Sequence, residues 1–218
     1  LSGVQKKLSS LDFSNLQEKW TGYYAGIPVE SIAATKIEKI PEKLDFRQKA
    51  IFEVLKSLPH ESVLDIGANK GLFSILAAKA GHKVISVDYD IGAIDALYRD
   101  NKKYGLPILP AVVDFHELIS DKTSRFVSSY SLALGFTHHL YLVEGLSRDE
   151  MTSVFSKLTE KLLVTEFKPD TGASHPERQI TQEQKDNYNL KSFMKALKLC
   201  FNSVEIIEHE SSSQRQLL

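Results

Sequence analysis

The sequence is short of several things, and each shortage excludes something. It has one cysteine, Cys200. No disulfide can form within the chain, which fits a reducing compartment, and a cytoplasmic location is the expectation. No apolar run approaches the roughly 20 residues of a membrane-spanning helix. The N-terminus alternates apolar and charged residues and so lacks the apolar stretch of a secretory signal. Neither sign of charge is in excess: 27 basic residues stand against 28 acidic ones, so bulk electrostatics do not attract nucleic acid. There is no internal repeat and no low-complexity tract. The chain opens on Leu1 and not on Met, from which the expectation is a trimmed chain or the C-terminal part of a longer protein. What remains is an ordinary folding composition, 42% hydrophobic and 25% charged. At 218 residues it is long enough for one large domain with a continuous core.

The pattern along the chain is an alternation. Apolar positions at Val4, Leu8, Leu11, Leu16 and Trp20 suggest one or two short amphipathic helices. Trp20, Tyr23 and Tyr24 follow, and Gly26 and Pro28 break the pattern. Phe46, Ile51, Val54 and Leu55 mark a helix that ends before Pro59. From there, residues 62–66, 83–87, 108–113, 131–136, 162–167 and 204–207 read as strands, and the last few residues begin another. Residues 72–80, 91–104, 148–162 and 190–201 read as helices. Strands alternating with helices predict a doubly wound, mostly parallel, seven-stranded Rossmann-like α/β sheet. Residues 1–42 form an N-terminal helical extension to a domain over 43–218. Residues 168–187 are polar and contain Gly172 and Pro176. A surface loop of that length inside a compact domain points to function or disorder.

The strongest local signal is Val63-Leu64-Asp65-Ile66-Gly67-Ala68-Asn69-Lys70-Gly71. An apolar strand ends on an acid, glycines permit a sharp turn and a close backbone approach, and a helix with free N–H groups follows. A dinucleotide site would carry Gly-x-Gly-x-x-Gly. Here Asn69 stands in place of the second glycine and Leu72 in place of the third, and their bulk argues against a pyrophosphate and an NAD-linked oxidoreductase. The pattern of an acid followed by Gly-x-x-x-Gly resembles the class I S-adenosylmethionine (SAM) methyltransferases.

That resemblance implies roles for other residues. Asp88, at the end of the next strand, is the expected acceptor of the ribose hydroxyls, as strand-end acids are in nucleotide-binding α/β folds, with Tyr89 beside it. Asp114 is expected at the adenine amine and Phe115 against the adenine ring. Ala68, Asn69 and Gly135 complete the cofactor residues, and Arg47 or Lys49 is expected at the methionine carboxylate.

The fourth strand runs into Leu132-Ala133-Leu134-Gly135-Phe136-Thr137-His138-His139-Leu140. Ligands bind outside the carboxyl ends of such strands, so these residues should face the transferable methyl group. The Asp/Asn-Pro-Pro-aromatic run of nucleic-acid amino methyltransferases is not there, which makes nucleic acid a poor expectation as substrate. Adjacent histidines suggest removal of a proton from a hydroxyl acceptor, with His139 favoured over His138. Glu166, on the fifth strand, is the candidate for orienting a histidine or the substrate. A metal shared by His138, His139 and Glu166 is a weaker alternative, because adjacent histidines are not a diagnostic spacing.

Taken together, Trp20 with its neighbouring tyrosines, Arg47-Gln48-Lys49, Asp-Ile-Gly-Ala-Asn-x-Gly-x-Phe-Ser, Leu-Ala-Leu-x-x-Thr-His-His-Leu and Thr-Glu-Phe-x-Pro resemble the bacterial nodulation-protein-like methyltransferases. The resemblance implies SAM as cofactor and adds little about the acceptor; with the two histidines, the expectation is an O-directed reaction on a small-molecule, glycan or lipid-linked acceptor. A methyltransferase fold kept as a binding or regulatory module of a larger protein is the rival expectation.

Overall fold

The computed structural model describes residues 29–119, 124–169, 181–207 and 215–218. Trp20, Tyr23 and Tyr24, the rest of residues 1–28, and residues 170–180 of the polar segment lie outside the described residues.

The chain enters with α1 (Val29–Ala34) and a 3-10 turn, Ile37–Lys43. Helix α2 (Phe46–Ser57) starts at a capping box: Gln48 N donates to Asp45 at 2.7 Å, and Asp45 N donates to the Gln48 side chain at 3.0 Å. Then come β1 (Ser62–Ile66), α3 (Leu72–Lys79), β2 (Lys83–Asp88), α4 (Ile91–Tyr104), β3 (Ile108–Val112) and the single turn α5 (Phe115–Leu118). Asp90 caps α4 by accepting from Ala93 N, and Gly105 closes it in the left-handed conformation. After a 3-10 turn follow β4 (Ser128–Ala133), α6 (Thr137–Leu142), α7 (Arg148–Leu158), β5 (Thr159–Phe167), α8 (Gln182–Asn187), α9 (Leu190–Cys200) and β6 (Gln216–Leu217).

The sheet order is β3-β2-β1-β4-β5-β6, parallel throughout except for the antiparallel β5–β6 pair. Period-two alternation divides its side chains between two cores. Val63, Val84, Tyr130, Leu132 and Val164 face α1, α2 and α3. Leu64, Ile66, Val87, Ala133, Leu163 and Phe167 face α7 and α9. Burial on both faces explains why these strands read as near-continuous apolar runs. Val29, Ile32, Ala33, Ile40 and Leu44 join the first of these cores, so this stretch packs against the sheet.

Three expectations need correction. The sheet has six strands among the described residues, not seven: segment 204–207 makes only the isolated antiparallel bridge Ile207–Leu217. Residues 159–162 belong to β5 and not to the preceding helix. Thr159 is extended, with φ −119° and ψ 119°; its hydroxyl donates to Phe155 O at 2.7 Å and shares a 2.8 Å hydroxyl–hydroxyl hydrogen bond with Ser131 Oγ. A β-branched residue tied to both a helix end and the neighbouring strand ends the helix there. Residues 134–136 lie beyond β4, because Gly135 takes a positive φ of 77° and turns the chain into α6.

At the carboxyl end of β1 a polar chain sits inside the first core. Ser86 Oγ donates to Ser74 Oγ at 2.8 Å, and Ser74 Oγ donates to Asp65 Oδ2 at 2.5 Å. Asp65 is 2% exposed. Burial pushes its pKa from 3.8 to about 7, with the Ser74 bond pulling it down and the Asp88 charge adding to the rise. The folded state therefore holds a proton that the unfolded chain has released between those two values. Stability contributed by this proton is present in full below the unfolded pKa and is lost as pH rises toward about 7. Asp65→Asn keeps an acceptor for Ser74 and removes the titration. Urea unfolding of the variant is expected to flatten the fall in stability between pH 4 and 7, a slope of at most about 1.4 kcal/mol per pH unit.

The turn after β1 carries a second prediction. Gly71 has φ +79°, and a Cβ there would lie 2.4 Å from Leu97 Cδ1 of α4. Gly71→Ala should cost about 1–3 kcal/mol, from the left-handed backbone and the overlap together. In a Leu97→Ala background part of that cost should disappear, and a double-mutant cycle measures how much.

Candidate functional site

The carboxyl ends of β1, β2, β4 and β5 bring most of the sequence-predicted residues to one edge of the sheet. The turn after β1 is a run of unusual backbone: Gly67, Asn69 and Gly71 have φ of 72°, 49° and 79°. Asn69 is the one residue other than glycine with positive φ among the described residues, a conformation that Asn tolerates better than most. Gly67 N and Ala68 N donate to Val87 O at 2.9 and 3.1 Å, and Gly71 N donates to Ala68 O at 2.8 Å. The turn is thereby laid against the end of β2.

Asp88 fastens it there. Its Oδ2 accepts from Asn69 N at 2.7 Å and its Oδ1 from Asp90 N at 2.9 Å. The carboxylate is 9% exposed. Desolvation pushes its pKa up, while the backbone bonds from Asp90 and Asn69 pull it down. Tyr89 N–H adds a third backbone bond, and the two oxygens together keep room for a further donor. Tyr89, next in the chain, is 45% exposed.

The glycines make room for protein. A Cβ on Gly67 would lie 2.9 Å from Phe136 Cγ, so the Phe136 ring covers that turn from the β4 side. The ring meets Phe115 edge-on at 5.5 Å, and Phe115 meets Phe155 at 5.8 Å. Phe115, expected against an adenine ring, is 7% exposed and packed among these aromatics. Asp114 is exposed and caps α5 by accepting from His116 N at 2.8 Å. Neither residue reaches the Asp65–Asp88 group through a hydrogen bond given by the structure.

On β5, Glu166 has a specific and different occupation. Arg47 Nε of α2 donates to its Oε2 at 2.6 Å, and Arg215 Nη1 donates to its Oε1 at 2.8 Å. The Glu166 side chain is 1% exposed. Its backbone oxygen accepts from Thr137 Oγ1 at 2.9 Å. Glu166 thus joins α2, the approach to β6 and the start of α6, and both its carboxylate oxygens are committed to guanidinium groups. The Arg47 guanidinium also lies 5.1 Å from the Phe73 ring centroid, in the first turn of α3. Its Nη2 is buried and makes no hydrogen bond.

His138 and His139 open α6. His138 is 3% exposed and His139 is half-buried, and their rings lie 3.9 Å apart at 42°. Among the described residues no group of three His, Cys, Asp or Glu side chains is placed to hold a metal. Sequence reading missed Ser74, Ser86 and Arg215. Ser74 was visible in the Asp-Ile-Gly-Ala-Asn-x-Gly-x-Phe-Ser run, where its distance from Asp65 fits one helical turn reaching back to the strand. Arg215 left no local signal.

No protein-family model matches this chain, and no curated protein sequence matches it. Solved structures do match in fold. Magnesium protoporphyrin IX methyltransferase (ChlM) from Synechocystis, solved with bound SAH, is 19% identical, with TM-score 0.56 over 78% of this chain and 81% of that one. A TehB-like SAM-dependent methyltransferase from Corynebacterium glutamicum is 15% identical, with TM-score 0.54 over 87% and 95%. A putative O-methyltransferase from Nostoc punctiforme is 13% identical, with TM-score 0.54 over 87% and 58%. The chain spans less than half of others, 46% of TehB from Haemophilus influenzae. At these identities the likeness is one of fold: the chain has the Rossmann-like architecture of these methyltransferases.

Proposed function

We propose that this chain is a SAM-dependent methyltransferase, O-directed, acting on a small-molecule, glycan or lipid-linked acceptor. The single observation that carries the reading is the pairing of the Gly67–Gly71 turn with Asp88: two positive-φ glycines, an acid at the end of the neighbouring strand, and backbone bonds that lock one to the other. The donor set fits the cofactor. Asp88 retains acceptor capacity for a ribose hydroxyl. The unbonded, buried Nη2 of Arg47 suits a carboxylate. Asp65 shapes the turn from beneath through Ser74. When bound, SAM supplies an activated methyl group on a positively charged sulfur that departs as a thioether. The likeness in fold to methyltransferases supports the assignment, and the nodulation-protein-like subgroup rests on the quoted motifs alone.

The chain's own contribution is mostly binding and orientation, which for a reaction with a good leaving group supplies much of the acceleration. His139 takes the acceptor hydroxyl proton on a ring nitrogen as the oxygen attacks; it is the more open of the two histidines. Glu166 is a positioning residue. It holds the Arg47 guanidinium by Nε, so that the other edge of the fork is left for a ligand.

Isothermal titration tests the cofactor. SAM binding with no NAD binding is the expected result, and NAD binding without SAM sinks the reading. Asp88→Ala should weaken SAM by about tenfold to a hundredfold, the range of lost hydrogen bonds to a charged group. His139→Ala should leave SAM affinity nearly unchanged while cutting methyl transfer by about a hundredfold or more. Glu166→Gln leaves two buried guanidinium groups facing a neutral amide. It should destabilise the fold by several kcal/mol, about 3–5 by analogy with other broken buried pairs, and weaken SAM along with Arg47→Ala.

A further inference from the structure

The acceptor side of the sheet edge carries an aromatic cluster that the cofactor reading does not use. Phe167 ends β5, immediately before the 168–187 segment, and Tyr188 follows that segment. The Tyr188 ring stacks on Tyr141 of α6 at 5.4 Å and 25°, and lies against Phe167 at 5.0 Å and 33°. Its hydroxyl donates to Lys168 O at 2.7 Å. A cavity adjoins these rings, lined also by Thr137, Met151, Phe193 and Arg148. Thr137 is the residue directly before the two histidines.

Arg148 sets the polarity of this cavity. Its guanidinium lies 4.3 Å from the Tyr141 ring centroid and donates to Asn187 O. No carboxylate pairs with it among the described residues. A half-buried cation stacked on a ring and held by one neutral oxygen retains N–H donors and a full charge for a ligand. The walls are aromatic and apolar, with one basic group that fixes orientation, the usual make-up of a small-molecule site.

Resting on the methyltransferase reading, we propose that the acceptor is a hydroxylated aromatic compound bearing an anionic substituent, seated against Tyr141 and Phe167 with its anion on Arg148. Tyr188 is itself a phenol in that place. With it seated the cavity is small, so the acceptor ring enters by taking Tyr188's position. Stacked or tilted ring pairs at these separations contribute beyond their buried area, and a bound aromatic acid recovers both contacts together with the charge on Arg148.

Ligand-observed NMR and calorimetry on the full chain test this with three probes: 4-hydroxybenzoate, its neutral methyl ester, and cyclohexanecarboxylate. The expected order is 4-hydroxybenzoate tightest, with each of the others at least about fivefold weaker, the effect of roughly 1 kcal/mol. Arg148→Gln should abolish the preference for the acid over its ester, Tyr141→Leu should abolish the preference for the aromatic over the cyclohexane ring, and Tyr188→Ala should tighten 4-hydroxybenzoate. No detectable binding of 4-hydroxybenzoate to the wild type and to Tyr188→Ala overturns the proposal, as do equal affinities for the three probes or preferences unchanged in Arg148→Gln and Tyr141→Leu. SAM titrated separately into the same proteins distinguishes this failure from failure of the cofactor reading, which would show as absent SAM binding whatever the probes do.

Discussion

The site depends on one buried carboxylate that holds two turns at once. Asp88 accepts from the backbone of Asn69, in the turn after β1, and from Asp90, at the entry to α4. Each turn alone is a flexible strand-to-helix connection. Bonded to the same carboxylate they become a single edge, with the left-handed Asn69 held in place by the bond its own N–H makes. Backbone strain of this sort persists only where surrounding contacts over-determine it. Here the contacts are Asp88, Val87 O and the Leu97 side chain that fills the space beside Gly71. The cost of burying Asp88 appears in its raised pKa. Neighbouring Asp65, deeper and bonded only by Ser74, is raised further for the same reason.

The second constraint is ionic. Glu166 stands between two guanidinium groups from opposite ends of the described chain, 119 and 49 residues away. Burial of such a cluster contributes little net stability compared with an apolar replacement, but breaking it is costly. Its value is placement. The triad sets α2 against β5 and the C-terminal strand β6, and the Glu166 carbonyl anchors Thr137 at the start of α6. From sequence, Glu166 is a candidate for orienting a histidine or the substrate. The geometry gives it arginines, and its influence on the histidines runs through the backbone and Thr137.

What was legible in the sequence was local. The 62–71 strand and turn, the acid at 88 and helix 91–104 could be read because strand, glycine spacing and cap all act within about 20 residues of one another. The errors lie where a long-range contact decides. Residues 159–162 continue an apolar helical rhythm, and it is the Ser131 hydroxyl on β4 that draws Thr159 into the sheet. Segment 204–207 has strand-forming residues but pairs only at Ile207, because β6 itself is two residues long. Phe115 was placed by its neighbour Asp114, while its packing is set by Phe136 and Phe155, 21 and 40 positions further on. Gly71 reads from sequence as a close backbone approach to a ligand, and the structure shows the Leu97 side chain in the space a Cβ there would take.

The same distinction separates the two halves of the site. On the proposed reading, donor recognition needs a fixed geometry, so it is written in one turn and one strand end, which short motifs can carry. The other half is assembled from α6, the start of α7, the end of β5 and the approach to α9, elements brought together by the fold and by no shared motif. Tyr141 and Tyr188 are 47 residues apart in sequence and stacked in space. Arg148, read from sequence, is merely the first residue of a capped helix. Its place over Tyr141 makes it a charge facing an aromatic wall. A common fold can retain the first half and change the second by side-chain replacement alone, which is why the acceptor has to be argued from the residues of this chain.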